Sequence, residues 1–170
     1  MSQQEPAVGP DPRRAVVVTA STRAARGVYT DRSGQIVADR LRDWGFDVAD
    51  PVVVPDGEPT GEAIRRALDE APPPALILTT GGTGLRADDR TPEVTLPLLD
   101  VEVPGVAEAI RAAGLAKGVP TAMLSRGLCG VARGTLVVNL PGSTGGVKDA
   151  LEVLEQVVHH ALDQIAGGDH

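Results

Sequence analysis

The chain has 170 residues, 42% of them hydrophobic yet only 2% aromatic, so its core must be built from Val, Leu, Ile and Ala. A formal net charge of −7 argues against the basic face of a general nucleic-acid binder, and the single cysteine, Cys129, excludes an intramolecular disulfide. No apolar run approaches the ~20 residues of a membrane span.

Residues 1–13 lack the basic start and apolar stretch of a signal peptide; they read as a disordered leader, and a cytoplasmic location is expected. Residues 14–19 (RAVVVT) form a β-branched run of the kind buried in a parallel sheet. A polar loop leads to a helix over 31–44, with Val37, Leu41 and Trp44 at helical spacing and Gly45 closing it. Residues 48–54 read as a second strand, and Thr60 as the cap of a helix carrying Ile64, Ala67, Leu68 and Ala71. Pro72-Pro73-Pro74 stops that helix, and 75–80 (ALILTT) is a third buried strand.

Thr91-Pro92-Glu93 has the pattern of an N-cap, a proline at N1 and an acid in the first turn; Pro97 keeps the helix short. Residues 106–116 suit an amphipathic helix with Val106, Ala109, Ile110 and Ala113 aligned, and 122–125 a brief strand. Arg133-Gly134 is a tight turn before the strand TLVVNL, and a last helix spans about 146–165. The β-α-β-α-β order implies one α/β domain over 14–166 with a tail at 167–170. Its mostly parallel sheet carries helices on both faces, in three layers.

In an open parallel sheet, ligands bind beyond the carboxyl ends of the strands. The loops there begin at Ser21, Pro55, Gly81, Ser125 and Pro141, and they supply glycine N–H groups, hydroxyls, arginines and a few carboxylates. That inventory suits a phosphorylated ligand with a divalent cation. Gly81-Gly82-Thr83-Gly84 is either a plain turn or a bare backbone that lets phosphate approach, since no Cβ intervenes. The loop at 139–146 opens the last helix, whose N-terminus favours an anion. Asp89 and Glu93 suit either Mg²⁺ ligation or helix capping, Asp56 a turn, and Asp88 a solvated charge. His159, His160 and His170 read as solvated residues away from that rim, and Cys129 as a small buried hydrophobe.

Taken in order, GVYTDRSG (27–34), VPD (54–56), TTGGTG (79–84), DRTPE (89–93), Pro104-Gly105, LSRG (124–127) and NLPGS (139–143) resemble the molybdopterin adenylyltransferase family. That family includes the bacterial Mog and MoaB proteins and the corresponding domains of gephyrin and plant Cnx proteins. The resemblance covers about 14–165 and implies a molybdopterin-binding-like α/β fold, usually trimeric. It implies Mg²⁺-dependent transfer of AMP from ATP to the molybdopterin phosphate with release of pyrophosphate, after which a separate protein inserts molybdate. The same fold also occurs in non-catalytic molybdopterin-binding or scaffold paralogues.

By the same resemblance, Asp56 and Asp89 are the catalytic carboxylates, Asp89 holds Mg²⁺, and Gly81, Gly82, Thr83 and Gly84 hold the nucleotide. Pterin and phosphate contacts fall on Ser21, Thr91, Pro92, Glu93, Ser125, Asn139, Pro141, Gly142 and Ser143. Two departures stand out. Thr22 occupies a position where members carry aspartate, and Thr144-Gly145-Gly146 replaces the usual Pro-Lys/Gly continuation, with Lys148 nearby as a possible phosphate contact. The attacking phosphate is already mostly ionised near neutral pH, since its second pKa is about 6, so the chemistry requires no histidine base.

Overall fold

Parallel pairing of β1 (Arg14–Ala20) with β4 (Leu76–Thr80), and of β4 with β7 (Thr135–Leu140), forms the centre of a seven-stranded sheet in the computed structural model, which describes residues 11–168. Most of the expected leader (1–10) and the last two residues of the expected tail lie outside the described residues. Two short strands, β2 (Asp47–Val48) and β3 (Val52–Val54), both add in parallel to β1. At the other side β6 (Cys129–Ala132) runs antiparallel to β7, and β5 (Val101–Glu102) antiparallel to β6.

Side-chain alternation assigns the two faces. Ala15, Val17, Leu76, Leu78, Leu136, Val138 and Leu140 point into one apolar cluster with α2 (Arg32–Asp43), α6 (Thr144–Glu155) and α7 (Val158–Ile165). Ile110 of α5 (Pro104–Ala116) joins that cluster. Val18, Ile77 and Val137 point the other way, onto Ile64, Ala67 and Leu68 of α3 (Glu58–Leu68). The three expected layers are present, and the core is aliphatic as composition required.

Several local expectations need correction. The single strand over 48–54 is two pieces, broken ahead of Pro51, which cannot donate to the ladder. Thr60 does not cap α3; the helix starts at Glu58 after Gly57, and the Thr60 hydroxyl donates to Pro55 O at 3.1 Å. The helix at 91 starts one residue earlier than read, with Arg90 rather than Thr91 as its cap; we call it α4 (Thr91–Thr95). Residues Pro120–Leu124 form a 3₁₀ turn, not a strand, and pack so closely that a Cβ on Gly114 would lie 2.5 Å from Ala122 Cβ. The fully buried residues of α5 are Ala107, Ile110 and Gly114; of those expected on the inner stripe besides Ile110, Val106 packs half-buried against the core, Ala113 is half-buried and Ala109 is exposed. The last helix is two, because Val157 leaves the helical region at φ −130°. The edge strand β5 and the four-residue helix α1 (Thr22–Ala25) had no periodicity long enough to announce them.

Other readings hold. Arg133 and Gly134 have φ of 50° and 78°, the paired left-handed residues of a tight hairpin turn between β6 and β7. Cys129 is buried, and burial pushes its thiol up to about 12. His159 is exposed but not merely solvated: its ring stacks on Phe46 at 5.3 Å.

Asp31 explains part of the GVYTDRSG segment. It caps α2, accepting from Gly34 N at 2.9 Å through one oxygen and from Thr19 Oγ1 at 2.7 Å through the other. A Cβ on Gly34 would sit 2.2 Å from both Asp31 Oδ2 and Thr19 Oγ1. Gly34→Ala is therefore expected to break this cap and to lower stability by about 2 kcal/mol, read as a shifted urea midpoint.

Candidate active site

Because β1, β3, β4 and β7 are mutually parallel, their carboxyl ends open onto one rim, and the antiparallel β6 begins there. Ser21, Asp56, Gly81, Ser125 and Pro141 thus come together from distant parts of the chain. Gly81 N donates to Leu140 O at 3.2 Å, and a Cβ on Gly142 would lie 3.2 Å from Gly81 Cα. The two glycine loops touch.

The backbone itself needs two of these glycines, as the plain-turn alternative has it. Gly81 and Gly82 have φ of 92° and 68°, a region that other residues avoid. A Cβ on Gly81 would strike Ala20 O at 2.3 Å, and one on Gly82 would strike Thr91 Oγ1 at 2.2 Å. These glycines are required first by the protein's own packing, so a valine at 82 strains the fold before it meets any ligand. Gly84 differs: its Cβ would crowd only the Asp89 carboxylate, at 2.8 Å from Oδ2.

Two clefts flank this pair of loops. The first, about 730 Å³, includes Ser21, Thr22, Asp56, Gly81 and Asp89 in its wall, together with Tyr29 and Asp31. The second, about 670 Å³, takes Thr83, Gly84, Ser125, Pro141 and Ser143, with apolar walls from Ile110, Val119 and Leu124. Gly82, Asp89 and Gly142 line both clefts. Ser21 and Ser125, expected on the same substrate, therefore face different clefts.

The aspartates are held but not used up. Asp56 Oδ2 accepts from Thr22 N and Thr22 Oγ1, each at 3.0 Å, and Thr22 Oγ1 accepts from Asp56 N at 3.1 Å. Thr22 is thus a partner of Asp56 rather than a missing carboxylate. Asp89 Oδ2 accepts from Arg86 N at 3.0 Å. The Oδ1 atoms of Asp56 and Asp89 have no hydrogen-bond partner among the described residues. No cluster of three or more His, Cys, Asp or Glu gathers among the described residues. Two hard carboxylate oxygens beside phosphate-sized space fit Mg²⁺, which takes one or two protein carboxylates and completes its shell with phosphate and water. Asp88 is an exposed charge 3.9 Å from Arg86, and Lys148 is exposed and lines neither cleft.

Four expected contact residues lie behind the rim instead. Asn139 is buried; its Nδ2 donates to Thr79 Oγ1 at 3.0 Å and Thr95 Oγ1 at 3.2 Å, and its Oδ1 accepts from Leu128 N at 3.1 Å. Thr91 is buried with its hydroxyl donating to Gly81 O at 3.0 Å, and Pro92 is buried beside it. Glu93 is ion-paired to Arg126. These side chains brace the loops and line neither cleft.

Arg126 is the residue that sequence reasoning underrated, although it stands in the LSRG segment. Its backbone N donates to Thr83 O at 2.9 Å, its Nε to Gly84 O at 2.9 Å and its Nη2 to Asp89 O at 2.8 Å. One guanidinium therefore clamps the glycine loop and the Asp89 backbone together. Arg111, from α5, donates to Ser125 O and Gly127 O at 3.3 Å and brings positive charge to the second cleft.

Glu93 completes the clamp. Burial pushes its carboxyl up, but the Arg126 hydrogen bond, its own backbone N–H and the charges of Arg126 and Arg90 outweigh this and hold it below the ordinary 4.5. The unfolded chain then takes up the proton first as pH falls. The clamp's contribution is present above 4.5 and is lost as pH drops below it through the folded-state value. Glu93→Gln is expected to flatten this acid limb of the stability profile, measured as urea midpoints across that range; a limb unchanged from the parent would mean the pair contributes nothing.

Comparison with known proteins identifies the family. Residues 16–160 match the family model described as "Probable molybdopterin binding domain". A molybdopterin adenylyltransferase from Helicobacter pylori is 33% identical over 154 residues, covering 89% of this chain and 86% of that protein. A molybdenum cofactor biosynthesis bifunctional protein from Synechococcus elongatus is 39% identical; the match covers 98% of this chain but only 54% of that longer protein. The molybdopterin biosynthesis Mog protein from Mycobacterium ulcerans superposes with a TM-score of 0.85 at 56% identity, over 90% of this chain and 99% of that one. The chain belongs to the molybdopterin-binding domain family of molybdenum cofactor biosynthesis proteins, to which the molybdopterin adenylyltransferases and the Mog and MoaB proteins belong.

Proposed function

We propose that the chain is a Mg²⁺-dependent molybdopterin adenylyltransferase, transferring AMP from ATP to the molybdopterin phosphate and releasing pyrophosphate. The observation that carries this reading is the pair of clefts sharing Gly82, Asp89 and Gly142. Two substrates, each a planar ring at one end and phosphate at the other, fit two such clefts when their phosphates face each other at the junction. The first cleft, with Gly81, Gly82, Ser21, Asp56 and Asp89, is assigned to the nucleotide. The second, with Ser125, Pro141, Gly142 and Ser143, is assigned to molybdopterin; Thr83 and Gly84, expected on the nucleotide, line this second cleft and are assigned to the junction where the phosphates meet. Asn139, Thr91, Pro92 and Glu93 are assigned the task of holding those loops in place.

In this reading an oxygen of the molybdopterin phosphate attacks the α-phosphorus of ATP in line, and the bond from that phosphorus to the pyrophosphate oxygen breaks. The nucleophile arrives ionised, so the site supplies alignment and charge neutralisation rather than a base. Asp89, with Asp56, is assigned to hold Mg²⁺, which when bound neutralises charge on the reacting phosphates and the leaving group. Loop N–H groups and Arg111 add to the same positive field. The lone buried thiol suits the reducing cytoplasm as the working compartment, and a separate molybdate-inserting protein would take the product.

The decisive assay is pyrophosphate release from ATP with and without purified molybdopterin. Asp89→Ala is expected to bind molybdopterin as well as the parent or better, while transfer falls about a hundredfold because the lost interaction acts mainly in the transition state. Asp56→Ala should move both quantities in the same directions. If both variants bind and turn over like the parent, these aspartates are only turn and cap residues.

We also infer a homotrimer, as the family resemblance implies. Exposed Val101 and Met123 supply apolar surface for subunit contact outside both clefts. Sedimentation at micromolar concentration is expected to give a trimer, and a monomer alone would overturn this.

A further inference from the structure

The chain contains one Tyr, one Trp and one Phe. Trp44 and Phe46 pack into the core cluster at the end of α2, and Phe46 is further occupied by His159. Only Tyr29 remains to meet a planar ligand, and it lines the first cleft. Its hydroxyl lies 2.7 Å from Ser21 Oγ, and the Arg23 guanidinium sits 5.4 Å from its ring centroid. The residue is still 49% exposed with both contacts in place.

We propose that Tyr29 is the stacking platform for the adenine ring of ATP, and that it makes this cleft prefer a base-bearing nucleotide over bare polyphosphate. The inference rests on assigning the first cleft to the nucleotide. Ser21 tethers the hydroxyl and Arg23 covers one side, so the ring is ordered before ligand arrives and little rotamer freedom is lost on binding. Stacking on an aromatic face tolerates different bases, because every base presents a π-face. The polar residues of the cleft are then left to the ribose and phosphates.

The test is calorimetric titration of ATP with magnesium, and separately of inorganic triphosphate, into the parent, Tyr29→Phe and Tyr29→Leu proteins, with circular dichroism to check folding. Tyr29→Phe keeps the ring and is expected to bind ATP close to the parent. Tyr29→Leu is expected to bind ATP about tenfold more weakly. Triphosphate affinity should be the same in all three proteins. Unchanged ATP affinity in Tyr29→Leu overturns the proposal, and so does an equal loss for ATP and triphosphate, which would make the side chain only a support for its loop. If the parent binds triphosphate and molybdopterin but discriminates no ATP, the cleft assignment fails and the proposal with it. Should Tyr29→Leu not fold, Tyr29→Trp decides: ATP, but not triphosphate, must quench the added indole fluorescence relative to a parent carrying Trp44 alone.

Discussion

The site depends on the parallel pairing of β4 with β7, in a register that sets Thr80 opposite Leu140. Each strand ends one residue later in a loop containing glycine, so the two loops leave the sheet side by side. The Gly81–Gly142 approach then forces both backbones into contact, with no side chain between them. A shift of register by one residue would turn each buried Leu and Val of β7 to the opposite face. Core packing on two faces therefore fixes where the loops meet.

Behind that junction lies a second layer of polar groups whose partners are all within the protein. Asn139 ties β7 to β4, to α4 and to the segment leading into β6. Thr91, Thr95 and Thr80 spend their hydroxyls on backbone carbonyls at the same end. Arg126 closes the layer by gripping three carbonyls of the loop over 83–89. Because buried polar groups are costly to leave unpaired, such a network has few alternative arrangements. Loops built this way can present backbone N–H groups and carboxylates without reorganising, which is what electrostatic stabilisation of a transition state requires.

The division of labour among carboxylates follows from their partners. Asp31 and Glu93 spend their charge on a helix cap and an arginine, whereas Asp56 and Asp89, in the wall of the first cleft, each leave one oxygen unpaired among the described residues. A net charge of −7 would repel nucleotide and pterin phosphate alike if it faced the clefts unscreened. On the proposed reading, the arginines at the rim, the glycine N–H groups and a metal on the two aspartates would reconcile an acidic protein with two anionic substrates.

What the sequence by itself determined was the alternation of aliphatic strands and amphipathic helices, the hairpin at Arg133-Gly134 and the glycine loops at the strand ends. These are local signals, carried by side-chain period and by residues with unusual backbone freedom. The ordered motifs also carried the family. Tertiary structure alone decided which motif residues face a cleft and which stand behind it: Asn139 and Glu93 look as functional in sequence as Asp56 and Asp89 do, but the Asn139 amide is hydrogen-bonded from across the fold and Glu93 is ion-paired to Arg126. It also decided that Pro120–Leu124 is a turn, that the last helix breaks at Val157, and that two clefts share one junction. The reason is physical. Each of those outcomes depends on contacts between residues far apart in the chain, and neither periodicity nor propensity contains information about such partners.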